Sequence, residues 1–203
     1  MKTKLKTLPH LERHHIEIIN YNPIYIRDWK NTNSSRGVEV ANSLSIKSVC
    51  LHNDKAIPIV FDGFGENALE EKKGHYCCQC ECMLFPDNGS EHWILLIETK
   101  YAGDETLAFR KESNYPNCMV EQIIATVDYF RRKNIIENKQ KIHAIVSFPM
   151  VESDFHDRIN AVLQESNETL SIEEIKEQHN IIIRGCNEAT IISEKRIKLE
   201  VVQ

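Results

Sequence analysis

The run Trp93-Ile94-Leu95-Leu96-Ile97, followed at once by Glu98-Thr99-Lys100, constrains this chain more than any other stretch. Five consecutive apolar residues without alternation read as a central strand covered on both faces. A second strand-like run, His75 to Phe85, precedes it, and Pro86-Asp87-Asn88-Gly89-Ser90-Glu91 between them is rich in turn formers. Residues 75–102 therefore predict a β-hairpin whose second strand ends in an acid and a lysine.

Context selects that acid and lysine. Acid-x-Lys occurs six times in the sequence, at Asp28/Lys30, Glu70/Lys72, Glu71/Lys73, Glu98/Lys100, Glu137/Lys139 and Glu174/Lys176. Only Glu98 and Lys100 close an apolar strand, where positions i and i+2 face the same way. Hard cations such as Mg²⁺ take one or two carboxylates and keep several waters, so a second acid is expected on the partner strand. Asp87 sits in the turn, about 30 Å along the strand from Glu98 at roughly 3.3 Å per residue. Glu81, the only acid in the His75–Phe85 run, is the better candidate. A turn centred on 87–90 pairs position 81 with about 96, so Glu81 and Glu98 are expected as diagonal neighbours on one face.

A strand with one acid, a short turn and an apolar strand ending in Glu-x-Lys resembles the core hairpin of the PD-(D/E)XK nuclease superfamily. The resemblance covers roughly residues 75–150 and extends to a helix and a buried strand after the hairpin. It implies an α/β fold with a mixed central sheet flanked by helices on both faces, a restriction-endonuclease-like core. It also implies Mg²⁺- or Mn²⁺-dependent hydrolysis of DNA phosphodiesters. Glu81, Glu98 and the Thr99 carbonyl would then hold the metal, with Lys100 beside the nucleophile. Glu39 is the match for an additional acid on a first helix. Gln122 stands where some members carry a Gln-x-x-x-Tyr signature, but Thr126 occupies the tyrosine position. The first acid is usually Asp in this superfamily, and here it is Glu. The partners implied are DNA and, where both strands of a duplex are cut, a second copy of the chain. The alternative function is a non-catalytic binding or assembly module on the same fold.

The rest of the chain supplies the frame. Met119, Ile123, Ile124, Val127 and Phe130 recur at helical spacing across residues 118–133, and Arg131, Arg132 and Lys133 close the last turn. Those three and Lys111 are candidate phosphate contacts. Lys141–Phe148 reads as a buried strand, 153–164 as a helix, and Ser171-Ile172-Glu173-Glu174 as a capping box opening another helix. Residues 180–185 and 189–199 read as two closing strands. Residues 36–46 are expected as a helix, 47–61 as a hairpin turning at Asn53-Asp54 with Pro58 on an edge strand, and 62–74 as a loop or short helix.

At 203 residues the chain suits one domain. Its core is expected at about 36–150, with residues 1–35 an N-terminal extension and 151–203 a helix–helix–strand–strand C-terminal part. A net charge of −5 argues against nucleic-acid packaging but leaves a nuclease open, because local charge decides phosphate binding. Residues 100–141 carry eight Lys/Arg against six Asp/Glu, and 142–203 six against eleven. No apolar run reaches the roughly 18 residues of a membrane span, and no apolar segment follows the basic N-terminus as in a secretory signal. The cytoplasm is the expected compartment, with the seven cysteines as thiols. Cys77, Cys78, Cys80 and Cys82 are expected as buried thiols spread along a strand rather than as a zinc knuckle.

Overall fold

The computed structural model describes residues 1–28, 37–43, 47–89, 92–166 and 169–201. In chain order the strands are β1 (His14–Ile19), β2 (Ile24–Asp28), β3 (Val38–Ala41), β4 (Val49–His52), β5 (Ile59–Phe64), β6 (Glu70–Lys72), β7 (His75–Tyr76) and β8 (Cys82–Pro86). They continue with β9 (Leu95–Thr99), β10 (Ile142–Ser147), β11 (Ile181–Gly185), β12 (Glu188–Ser193) and β13 (Arg196–Lys198). The helices are α1 (Lys2–Leu5), α2 (Glu105–Ala108), α3 (Asn117–Arg132), α4 (His156–Glu165) and α5 (Ile172–His179).

The central sheet has the order β1-β5-β8-β9-β10-β11. From β1 to β9 neighbours are antiparallel, whereas β9, β10 and β11 run parallel. Parallel neighbours need crossover connections. The β9-to-β10 crossover contains α3, and the β10-to-β11 crossover contains α4 and α5. The protein is α/β with mixed sheets, and no helix among the described residues is long and apolar enough to cross a membrane.

The two faces of this sheet are covered differently. Met119, Val120, Ile123, Val127 and Phe130 of α3, Ile159 and Leu163 of α4 and Ile175 of α5 pack with Val60, Met83, Ile94, Leu96, Ala144 and Val146 on one face. The other face carries Ile59, Phe61, Leu84, Leu95, Ile97 and Ile145 against a second sheet. That sheet, β13-β12-β4-β2-β3, supplies Ile24, Ile26, Val38, Val49, Leu51 and Ile191. The expected helices on both faces are thus corrected: the second sheet takes the place of one helical layer. The cause is the alternating β-branched pattern of the segments between residues 24 and 52, which shows one apolar face at a two-residue period.

Three other expectations fall as well. In the segment 36–46 the structure has β3 where a helix was expected, because Val38 and Val40 alternate with polar residues; Arg36 and Leu44–Ile46 lie outside the described residues. The segment 47–61 turns at Asn53-Asp54, but β4 and β5 join different sheets instead of pairing. Asn53 makes that turn rigid: its side chain donates to the Ile57 carbonyl and accepts from the Ile57 N–H, both at 3.0 Å. Pro58 leads into β5, an interior strand rather than an edge. The segment 62–74 continues β5 to Phe64 and then forms β6.

The hairpin is present, but its first strand is shorter than the expected 75–85, because His75–Tyr76 forms β7 and pairs with β6 instead. The capping box of α5 is present, and the helix expected at 153–164 spans His156–Glu165. Both end segments are built into the sheets: β1 extends the central sheet beyond β5, and β12 pairs with β4 in the second sheet. All seven cysteines are thiols.

Candidate active site at the β8–β9 edge

β9 buries all five of its residues. Burial of Leu95, Leu96 and Ile97 contributes about 1.5–3 kcal/mol per side chain. That offsets the several kcal/mol needed to take the Glu98 carboxylate out of water. Leu96 faces the helical layer, so alternation places Glu98 on that same face, where it has no solvent exposure.

The hairpin register decides which acid meets it. Cys82 opposes Ile97 and Met83 opposes Leu96, and the N–H of Glu81 donates to the Ile97 carbonyl at 3.1 Å. Continued by one residue, this register sets Glu81 directly across from Glu98. The pairing is shifted by two residues from the diagonal arrangement expected from the turn, and it brings the two acids closer. Lys100 joins them. Its Nζ lies 3.1 Å from Oε1 of Glu81 and 2.5 Å from Oε1 of Glu98. Both carboxylates thus share one ammonium nitrogen.

The electrostatics follow from that geometry. Burial alone would lower the Lys100 pKa, but Glu98 and Glu81 outweigh it and raise the group above its ordinary value. Lys100 is anchored through its backbone as well, its N–H donating to the Ser147 carbonyl of β10 at 3.0 Å. Since the Ile97 carbonyl points toward β8, strand alternation turns the Thr99 carbonyl to that side too.

Neighbouring elements close over the acids. A Cβ built on Gly37 would lie 2.6 Å from Oε2 of Glu81 and 2.7 Å from the Phe64 carbonyl, so the chain entering β3 rests directly on the carboxylate. Thr126 of α3 accepts the Cys80 N–H at 2.9 Å and donates to the Gln122 carbonyl at 2.7 Å. One turn earlier, Gln122 has a buried Oε1 without a hydrogen-bond partner among the described residues. One turn before that, the Cys118 thiol is pushed up by burial, with Lys100 opposing and Glu98 reinforcing. The stripe Cys118-Gln122-Thr126 therefore runs along this edge of the sheet.

Other sequence candidates are not part of this arrangement. Glu39 lies on β3 in the second sheet and is ion-paired with Arg27, its cross-strand partner, which removes it as an acid of a first helix. Arg131, Arg132 and Lys133 lie at the other end of α3 from Cys118. There Arg131 donates to the Gln140 carbonyl, Arg132 pairs with Glu71, and Lys133 lies over the Tyr129 ring. Lys111 sits in a short 3-10 turn between β9 and α3. Asp87 pairs with Lys2 at 3.1 Å, at the opposite end of β8 from Glu81. The four clustered cysteines are not the expected row of buried thiols along a strand, since only Cys82 lies in one. Cys80 is buried in the helical-side core and Cys82 in the core between the sheets, whereas Cys77 is half-buried and Cys78 is exposed.

The sequence reading missed two polar groups. Asp62 is fully buried in β5 and accepts from Nδ1 of His14 in β1 at 3.0 Å, with neither side chain exposed. Burial pushes the Asp62 carboxyl up, and the hydrogen bond and charge of His14 only partly oppose it. Asp62 opposes Met83 and Phe64 donates its N–H to the Glu81 carbonyl, so Asp62 is one diagonal step from Glu81 on the same face. His14, Asp62, Glu81 and Glu98 form a polar row crossing four adjacent strands. The available signal was an acid inside the apolar run Ile57–Phe64, the same context that singled out Glu98. No protein-family model, curated protein or solved structure matches the chain.

Proposed function

We propose that the protein is a divalent-cation-dependent nuclease that hydrolyses DNA phosphodiester bonds on a restriction-endonuclease-like core. The observation that carries this reading is the convergence of Glu81, Glu98 and Lys100 at one end of the β8–β9 hairpin. The connection from β9 through α3 to a parallel β10 supports the core assignment, since the resemblance implies a helix and a buried strand after the hairpin.

The residues fit a hard cation. Two carboxylates from adjacent strands already enclose a positive centre, the Lys100 ammonium, within hydrogen-bonding distance of both. Glu81 and Glu98, with the Thr99 carbonyl, are the oxygen donors that would hold Mg²⁺ or Mn²⁺. A cation bound there supplies Lewis-acid polarisation of the phosphate and a water acidified toward neutral pH. Lys100 stays cationic in this acidic surround and offsets negative charge growing on the phosphoryl oxygens. The buried β9 holds Glu98 fixed, and Gly37, Lys100 and the N–H bond to the Ile97 carbonyl hold Glu81, so little reorganisation is left for the reaction step.

One observation favours a second reading. Glu98 is fully buried, and Lys100 is ion-paired with both acids, which also suits a structural ion-pair network in a non-catalytic binding module. Cleavage assays on supercoiled, linear and single-stranded DNA, and on RNA, in Mg²⁺ or Mn²⁺ separate the two. The nuclease reading expects wild-type cleavage that is chelator-sensitive and lost in Glu98→Gln and Lys100→Ala, each verified as folded by its thermal transition. Wild-type protein that cleaves no DNA form in either metal would count against catalysis, and DNA binding without cleavage would support the module.

A further inference from the structure

On the outer face of the second sheet, three different donor types converge. Val49 and Leu51 point into the core between the sheets, so alternation turns Cys50 and His52 of β4 outward together. β12 lies parallel beside β4 with Glu188 opposite Cys50. The Nε2 of His52 lies 2.8 Å from Oε2 of Glu188 and 3.9 Å from the Cys50 Sγ. One ligand atom from each of the three residues falls within 4.8 Å of the others.

We infer that Cys50, His52 and Glu188 form a zinc site with three protein ligands and a fourth position open to solvent. A tetrahedral ion with bonds of about 2.0–2.3 Å needs ligand atoms at about this separation. The donor set decides the metal: thiolate and imidazole select a borderline ion such as Zn²⁺ over Mg²⁺, which takes oxygen. This distinguishes the site from the all-oxygen donors of Glu81 and Glu98. The open side faces a cleft of about 720 Å³ that is also lined by Tyr25, Lys47, Asp154 and Arg184. Lys47 and Arg184 are already paired with Glu152 and Asp154, so water is the ligand the open position would take. The scaffold is already set: the Cys50 N–H donates to the Asn187 carbonyl at 2.9 Å, tying β4 to the residue before Glu188. Cys50 and His52 are half-buried and Glu188 is exposed, so an ion can enter without opening the fold.

The test is Zn²⁺ binding by the full chain in competition with a chromophoric chelator, together with Co²⁺ substitution followed by absorption. The expected result is one tightly bound Zn²⁺ per chain, and a tetrahedral Co²⁺ spectrum with a thiolate charge-transfer band. Cys50→Ser should abolish that band. Cys50→Ser and His52→Ala should each weaken Zn²⁺ affinity by at least about 100-fold, the upper end of what loss of an outer-shell partner costs. Glu188→Gln should weaken it by about 10-fold or more, while Cys78→Ser, at an exposed cysteine outside the site, should leave it unchanged. Wild-type protein that cannot compete for Zn²⁺, an octahedral Co²⁺ spectrum without the thiolate band, or a Cys50→Ser protein of unchanged affinity would each overturn the assignment.

Discussion

The Lys100 ammonium lies 3.1 Å from the carboxylate of Glu81, a residue 19 positions earlier in the chain, while also gripping Glu98 two residues before it. One nitrogen thus ties two strands at the point where the hairpin ends. Each partner's role can be separated by a substitution that keeps shape and changes charge. Glu98→Gln and Glu81→Gln are expected to lower cleavage about 10²–10³-fold, the usual cost of losing one transition-state stabiliser. Glu81→Asp keeps the charge and should retain measurable cleavage. Single-turnover rates at saturating Mg²⁺ check this, and equal rates for Glu81→Gln and wild type would remove Glu81 from the site.

The pH behaviour of Lys100 follows from the direction of its shift. Its pKa is raised above 10.5 in the folded protein. A base with a raised folded pKa contributes stability that is complete below the unfolded value and is lost as pH rises through the folded one. The difference in thermal midpoint between wild type and Lys100→Met should therefore be flat from about pH 6 to 9 and narrow only above about pH 10.5. Cleavage should likewise show no alkaline loss from Lys100 in that range, because a lysine held cationic cannot serve as the general base.

Gly37→Ala probes the covering contact. Its Cβ would meet the Phe64 carbonyl at 2.7 Å as well as Glu81. A backbone carbonyl in a paired strand cannot rotate aside, so chain or carboxylate must shift. A stability loss of about 1–3 kcal/mol in urea unfolding is expected, with a larger proportional loss of cleavage than of stability. An unchanged rate would show that Glu81 has room to adjust.

The His14–Asp62 pair is buried on both sides. Breaking it with His14→Phe leaves an uncompensated carboxyl and should cost about 3–5 kcal/mol. His14→Phe combined with Asp62→Leu replaces both polar groups with apolar ones, and should cost clearly less than the two single changes added together. Chemical denaturation of the four proteins measures the coupling; strict additivity would mean that the two side chains do not interact.

Thr126→Val removes the acceptor of the buried Cys80 N–H while keeping the shape of the side chain. An unsatisfied buried donor costs about 1–3 kcal/mol, and Thr126→Ser should recover most of it. Hydrogen exchange at the Cys80 amide reads the effect directly, with faster exchange expected in Thr126→Val alone.

Short-range pattern was enough to reveal the hairpin, α3, the capping box of α5 and the pairing of Glu98 with Lys100 on one face. In each of these, the spacing of a few adjacent residues already states which side is apolar. Pattern also named Glu81, although it set the register two residues off, because turn formers spread over six positions leave the turn's centre open. It was misleading at Glu39: residues 36–46 are compatible with a helix until Val38 and Val40 find Asp28 and Ile26 as strand partners.

Only the tertiary structure decided which strands lie beside one another. β1 meets β5 across 39 intervening residues, and β12 meets β4 across 135. Those pairings create the His14–Asp62 contact and the Cys50-His52-Glu188 cluster. Strand order is set by how long crossovers and turns allow apolar faces to be buried together, a property of the whole sheet that no local window contains. Local alternation determined which side chains share a face, and long-range pairing determined which of them meet.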